Sequence, residues 1–202
     1  MRIGVLALQG GFIEHIRMLR SLQVDTFEIR KKEDLQTAMD GLILPGGEST
    51  VIGKLLKELD LLEPLKEQIQ NGLPTFGTCA GMILLARKIT GTDTTYFGAL
   101  DIEVRRNAYG RQSGSFFTEA PFKGIGAIPM TFIRAPYIEQ AAPEVEILSE
   151  VANHIVAARQ GNILATSYHP ELTTDSRVHR YFIELLLKDS LIPAEPVFIP
   201  II

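Results

Sequence analysis

The stretch FGTCAG, residues 76–81, holds the single cysteine of this 202-residue chain. A strand-like segment runs into Gly77-Thr78-Cys79-Ala80-Gly81, and a helix-like segment leaves it. This is the glycine–x–nucleophile–x–glycine order of a nucleophile elbow, with Cys in the place of Ser. A nucleophile at a sharp strand-to-helix turn takes strained backbone angles, and flanking glycines relieve the crowding. Its side chain then projects from the carboxyl edge of the sheet, where open α/β folds bind ligands. The first amides of the new helix favour an anionic sulfur, and the amide of Ala80 is placed to donate to an oxyanion. A free cysteine is also commonly a small buried hydrophobe, so the elbow alone leaves two readings open. A partner base is needed.

Four histidines are available. His15 falls in a helical segment as a surface or packing residue, His154 at a hairpin turn, and His179 on the last helix facing solvent. His169 differs, because it ends a strand-like run in SYHPEL, residues 167–172. Pro170 stops that strand, and Glu171 follows two residues after the imidazole, within reach to hold its tautomer. Cys79, His169 and Glu171, in that chain order, make a general-base arrangement for thiol chemistry. Taken alone, His-Pro-Glu is equally a structural turn; the elbow and the triplet together favour chemistry.

A further glycine turn, LPGGES at 44–49, ends a neighbouring strand. Gly47 is the best placed to give a second oxyanion amide, since glycine alone permits such close backbone approach. The same turn also reads as a strand-to-helix connection with Glu48 or Ser49 as helix cap, and the two roles are compatible. It lacks the G-K-[ST] of a phosphate loop.

The elements that must hold these residues alternate in the first half. RIGVLAL (2–8) is a continuous apolar run, as in a strand buried on both faces of a parallel sheet. A helix follows with Phe12, Ile16, Leu19 and Leu22 at helical spacing, then a strand at 24–30, a short polar helix, and an apolar strand at 40–47. A long helical pattern carries Leu55, Leu56, Leu59, Leu62 and Leu65, with Pro64 the expected break. A strand at 73–78 and a buried helix at 80–89 complete this half. Such alternation predicts an α/β fold: a three-layer, doubly wound, mostly parallel sheet of flavodoxin-like type. From Tyr96 to Pro170, β-rich runs predict strands and hairpins around a mixed sheet. A last helix over 175–189 starts at an Asp cap and packs Val178, Phe182, Leu185 and Leu186.

The chain reads as one domain, 1–189, followed by an apolar, Pro-rich tail at 190–202. A net charge of −4 and the absence of any Lys/Arg-rich run argue against nucleic-acid binding. No apolar stretch approaches the ~18 residues of a membrane span, and the N-terminus lacks the build of a signal peptide. One cysteine permits no internal disulfide and no multi-thiolate zinc site, which points to the cytoplasm. Neither a metal nor a cofactor is expected.

The elbow GTCAG, the LPGG turn and the HPE triplet, in that order, resemble the class I (triad) glutamine amidotransferases. IGVLALQGG, GLILPGGEST, FGTCAGMILLA, RRNAYGRQ, FIRAP and SYHPELT narrow the resemblance to the glutaminase-subunit family of pyridoxal 5′-phosphate synthases, from Met1 to about Asp189. The resemblance implies hydrolysis of L-glutamine to glutamate and ammonia by Cys79, His169 and Glu171, with Gly47 and Ala80 as oxyanion donors. It implies a glutamine site of Gly47, Glu48, Ser49, Arg106, Ile133 and Arg134, without a chemical ground for choosing Arg106 over Arg105. It also implies a (β/α)₈ synthase subunit that receives the ammonia within a large hetero-oligomer, with LQGG near that contact. Within RQSGSFF the chain departs from the family pattern, which carries an acidic residue where Gly114 stands. Competing readings are a triad amidotransferase of another pathway, a stand-alone γ-glutamyl hydrolase, and a non-catalytic regulatory subunit. The first two leave RRNAYGRQ and FIRAP unexplained, and the third leaves the complete triad unexplained.

Overall fold

The computed structural model describes residues 1–106 and 114–190, with side chains through Leu187. RRNAYGRQ therefore lies mostly outside the described residues, as does nearly all of the apolar tail. The chain order is β1 (Arg2–Leu6), α1 (Phe12–Ser21), β2 (Asp25–Ile29), a 3₁₀ turn (Lys32–Gln36), β3 (Gly41–Leu44), α2 (Ser49–Glu58), α3 (Leu62–Gln70), β4 (Thr75–Thr78), α4 (Ala80–Leu85), β5 (Ala86–Ile89) and β6 (Leu100–Arg105). Next come β7 (Ser115–Phe122), β8 (Gly126–Ile133), β9 (Tyr137–Ala141), β10 (Glu146–Val151), β11 (His154–Gln160), β12 (Ile163–Thr166), a 3₁₀ turn (Pro170–Leu172) and α5 (Arg177–Ser190).

The main sheet runs β2-β1-β3-β4-β12-β11-β9-β6-β5, with β10 paired to β11. Its first five strands are mutually parallel, in the flavodoxin-like order. Beyond β12 the pairing turns antiparallel through β11, β9 and β6, and β5 rejoins β6 in parallel. β7 and β8 form a separate antiparallel ribbon.

The two faces bury different cores. Ile3, Val5, Ile43, Phe76 and Leu164 pack with α1, α5 and the ribbon. Leu6, Leu42 and Leu44 pack with α2, α3 and α4. Val178, Phe182, Leu185 and Leu186 are buried as their spacing predicts. This is the three-layer, doubly wound α/β architecture. No helix among the described residues is long and apolar enough to cross a membrane.

Three local expectations are corrected. The helix expected over 80–89 stops at Leu85 and becomes strand β5. The amides of Phe97 and Ala99 take the carbonyls of Leu84 and Leu85 at 3.0 and 2.9 Å, so the helical ladder ends there. Arg87 and Lys88 then face outward and pair with Asp101 and Glu103 on β6. Second, the long helix divides at Asp60, whose φ is +52°, and not at Pro64. Pro64 sits in the first turn of α3, where a missing N–H costs little. Third, His179 is fully buried, because it shares the α5 stripe with Phe182 and Leu186. The Asp cap of α5 is real but sits one residue outside the cap position: Asp175 Oδ1 accepts the Arg177 amide at 2.9 Å.

Gly81 in α4 lies against β3, and a β-carbon added to it would be 2.0 Å from the Leu44 carbonyl oxygen. Gly81→Ala must force the elbow away from the sheet. The expected destabilisation is about 1–3 kcal/mol, read as a lowered urea midpoint with unchanged slope.

Candidate active site

Four adjacent parallel strands end at one cleft. Gln9, Gly10 and Gly11 follow β1, Gly46 to Glu48 follow β3, Cys79 follows β4, and His169 follows β12. All of them line a cavity of about 560 Å³. Parallel pairing puts these carboxyl ends side by side, which is why residues far apart in sequence converge.

Cys79 holds φ +48° and ψ −100°, an unfavourable conformation for a residue with a side chain. Its amide donates to the Thr166 carbonyl at 2.7 Å, which ties the elbow to β12. The close packing explains the flanking glycines. A β-carbon on Gly77 would meet the Gly81 backbone at 2.7 Å. One on Gly46 would stand 2.3 Å from His169 Cε1 and 3.3 Å from Cys79 Cβ.

His169 Nδ1 bonds Glu171 Oε1 at 2.7 Å, and all three triad side chains are largely buried. The amide of His169 donates to the Thr131 carbonyl, and Pro170 opens the 3₁₀ turn that curls Glu171 back beneath the ring. Burial pulls the His169 pKa down. Its hydrogen bonds to Cys79 and Glu171, and their charges, outweigh that and raise it to about 10. Burial pushes Glu171 up, but neighbouring His15 and His169 hold it below the usual carboxylate range.

The same cavity is lined by Glu48, Ser49, Arg106, Ile133 and Arg134, so the residues proposed for substrate from the sequence are brought together. Arg134 has φ +43°, and its amide donates to the carbonyl of Gly114, which ties Gly114 to the cleft wall. Ala80 is not part of the lining; it is buried as the first residue of α4, directly after Cys79. Glu48 occupies the cap position of α2, yet its side chain makes no cap bond. Its amide is taken instead by Gln9 Oε1 at 2.7 Å, and that oxygen lies where a β-carbon on Gly47 would stand.

Sequence reasoning missed Gln9, Thr78, His15 and His179 as parts of the site. Gln9 was visible only as the second residue of LQGG. Thr78 Oγ1 accepts the Gly46 amide at 3.0 Å and lies 3.1 Å from His15 Nε2. Among the described residues no group of three or more His, Cys, Asp or Glu is placed to hold a metal ion.

The family model for SNO glutamine amidotransferases matches residues 5–188. The chain belongs to that family. It is 56% identical over 188 residues to pyridoxal 5′-phosphate synthase subunit PdxT of Haemophilus influenzae strain PittEE, covering 92% of this chain and 98% of the relative. The PdxT of Streptococcus pneumoniae strain CGSP14 is 55% identical over 188 residues, at 92% and 97% coverage. A crystal structure of a glutamine amidotransferase superposes with a TM-score of 0.86 at 46% identity, covering 91% of this chain and 98% of the other. The fold is thus that of the family's class I type.

Glu171 supplies interactions that raise the His169 pKa, so Glu171→Gln lowers it. A pKa above the unfolded value means that the folded protein holds this proton more tightly. The stabilisation is complete below the unfolded value of ~6.5 and disappears as pH rises through about 10. In Glu171→Gln the loss starts from the same pH but is smaller and is complete at a lower pH. An NMR titration of the His169 imidazole, beside urea midpoints across pH, checks both.

Proposed function

We infer that this chain is the glutaminase subunit of a pyridoxal 5′-phosphate synthase, supplying ammonia for vitamin B6 biosynthesis. The observation that carries the reading is Cys79 on a strained elbow, in one cleft with a histidine whose Nδ1 lies 2.7 Å from Glu171. Identity of 56% along nearly the whole length of a synthase subunit favours this pathway over other amidotransferase pathways, over a free γ-glutamyl hydrolase and over a regulatory subunit.

In this reading Cys79 Sγ attacks the side-chain amide carbon of L-glutamine, and the C=O electrons move onto oxygen. The amides of Gly47 and Ala80 receive that oxyanion. His169 gives its proton to the amide nitrogen, the C–N bond breaks, and ammonia leaves. His169 then takes a proton from water, whose oxygen attacks the thioester. The C–S bond breaks, and glutamate departs. Arg106 and Arg134 offer guanidinium groups for the substrate carboxylate, with Gly47, Glu48, Ser49 and Ile133 completing the pocket. No cofactor or metal takes part in these steps.

Ammonia passes to a (β/α)₈ synthase subunit in a large cytoplasmic hetero-oligomer, and residues 1–189 act as one catalytic domain. The turn at Gln9 binds the Glu48 amide beside Gly47, so a partner docked on that turn acts directly on the oxyanion loop.

Glutamate release from L-glutamine, measured with and without the synthase subunit, tests the reading. Strong release with the partner, and loss of at least about 10³-fold in Cys79→Ala, is expected. Full activity without the partner points to a stand-alone amidohydrolase. Cys79-independent release, or none under either condition, overturns the glutaminase reading.

A further inference from the structure

Behind the triad lies a buried polar chain that the glutaminase steps do not use. His15 on α1 and His179 on α5 are both fully buried, and His15 Nδ1 stands 2.9 Å from His179 Nε2. On its other side His15 Nε2 lies 3.1 Å from Thr78 Oγ1 and 3.4 Å from Glu171 Oε2. That carboxylate oxygen is buried and makes no hydrogen bond, in contrast to Oε1, which His169 holds. His179 Nδ1 is likewise buried without a partner, among Phe76 and Phe182.

These positions select one proton arrangement. If His15 carried its proton on Nδ1, a bare ring lone pair would face the carboxylate oxygen at 3.4 Å. His179 would then accept at Nε2 and leave a buried N–H at Nδ1 with no acceptor, an arrangement that folded proteins rarely tolerate. With the proton on Nε2 of both rings, His179 donates to His15, and His15 turns its N–H toward Thr78 and Glu171. This exchanges an orphaned buried N–H at His179 Nδ1 for a lone pair in apolar surroundings, and Thr78 Oγ1 then accepts from both the Gly46 amide and His15. Burial lowers the pKa of both rings, that of His179 to about 3, so both are neutral near neutral pH.

We propose that His15 is a positioning residue, fixed by His179 in its Nε2–H tautomer, that holds the second oxygen of Glu171 while Glu171 aims its first at His169. The proposal rests on the triad reading above. His15 also meets Thr78, whose hydroxyl accepts the Gly46 amide and whose neighbour is Cys79. One ring thus braces the acid, the strand before the nucleophile and the loop facing it. A close polar contact to a charged partner, made through a ring whose other nitrogen is occupied, fixes orientation as well as charge.

The tautomer is measured first, on the unmodified protein labelled with [¹⁵N]histidine, by long-range ¹H–¹⁵N correlation. His15 and His179 are expected as neutral Nε2–H rings near neutral pH, with assignments from the single variants. Kinetics in the complex with the synthase subunit follow. His15→Phe keeps the ring and its edge contact with Phe76, and is expected to lower kcat about 10- to 100-fold, the rate equivalent of one hydrogen bond to a charged group. KM stays unchanged, and the His169 imidazole titrates at a lower pH. His15→Gln, which can return an N–H toward Glu171, recovers most of kcat. His179→Phe gives a smaller loss and a mixed tautomer at His15. A proton on Nδ1 of His15 overturns the proposal, as does wild-type kcat in folded His15→Phe. If His15→Phe does not fold, the tautomer and His15→Gln decide: a His15→Gln as slow as Cys79→Ala, with its melting temperature intact, also overturns it. Failure of the triad reading shows separately, as glutamate release that survives Cys79→Ala.

Discussion

The α-carbon of Gly81 rests against the Leu44 carbonyl, and that of Gly10 rests against the Gly46 carbonyl. An added β-carbon would lie 2.0 Å from the first oxygen and 1.8 Å from the second. Gly46 in turn has its backbone against the His169 ring. These contacts bring the turns after β1, β3, β4 and β12 closer than side chains would allow. The positions of Cys79, His169 and the Gly46-Gly47 turn all depend on that approach. A glycine costs backbone entropy, yet here no other residue leaves room for the neighbouring chain.

Electrostatics is built onto this frame at a cost in desolvation. Glu171 is buried, and so are the two histidines beside it, an arrangement that apolar packing would not select. The charge on Glu171 is sustained because His169 meets one oxygen and His15 lies beside the other. His169 thereby keeps its proton to a higher pH than a free imidazole does. The strain at Cys79 and at Arg134 is concentrated at the same cleft. Rigid strands carry that strain, since their ladders and the two apolar layers do not yield to a single residue.

Much of this was legible beforehand. The elbow around Cys79, the turn that Pro170 opens and the turn at Gly46-Gly47 are local patterns with local causes, and their places in the fold follow from alternating apolar runs. The strand before His169, expected to run up to Pro170, ends instead at Thr166. The end of α4 at Leu85 was not legible, because residues 80–89 carry a helical pattern throughout. Carbonyl capture by Phe97 and Ala99, from a segment more than ten residues on, decides where it stops. Asp60 breaks the long helix through a positive φ that its residue type only permits. His179 was misplaced because a histidine at core spacing resembles one facing solvent until the ring that meets it, His15, is known.

The sequence by itself determined the chemistry available and the order of its parts: one thiol in a glycine-flanked turn, one imidazole with an acid two residues on, and strands enough for a doubly wound sheet. Tertiary structure alone decided which strand ends stand side by side, and hence that the turns of Gln9, Gly46, Cys79 and His169 share one cleft. It alone paired His15 with His179 across 164 residues and turned them toward Glu171. The reason is one of range. Backbone strain and turn chemistry act within a few residues, whereas the partner of a buried polar group is fixed only by how the layers pack.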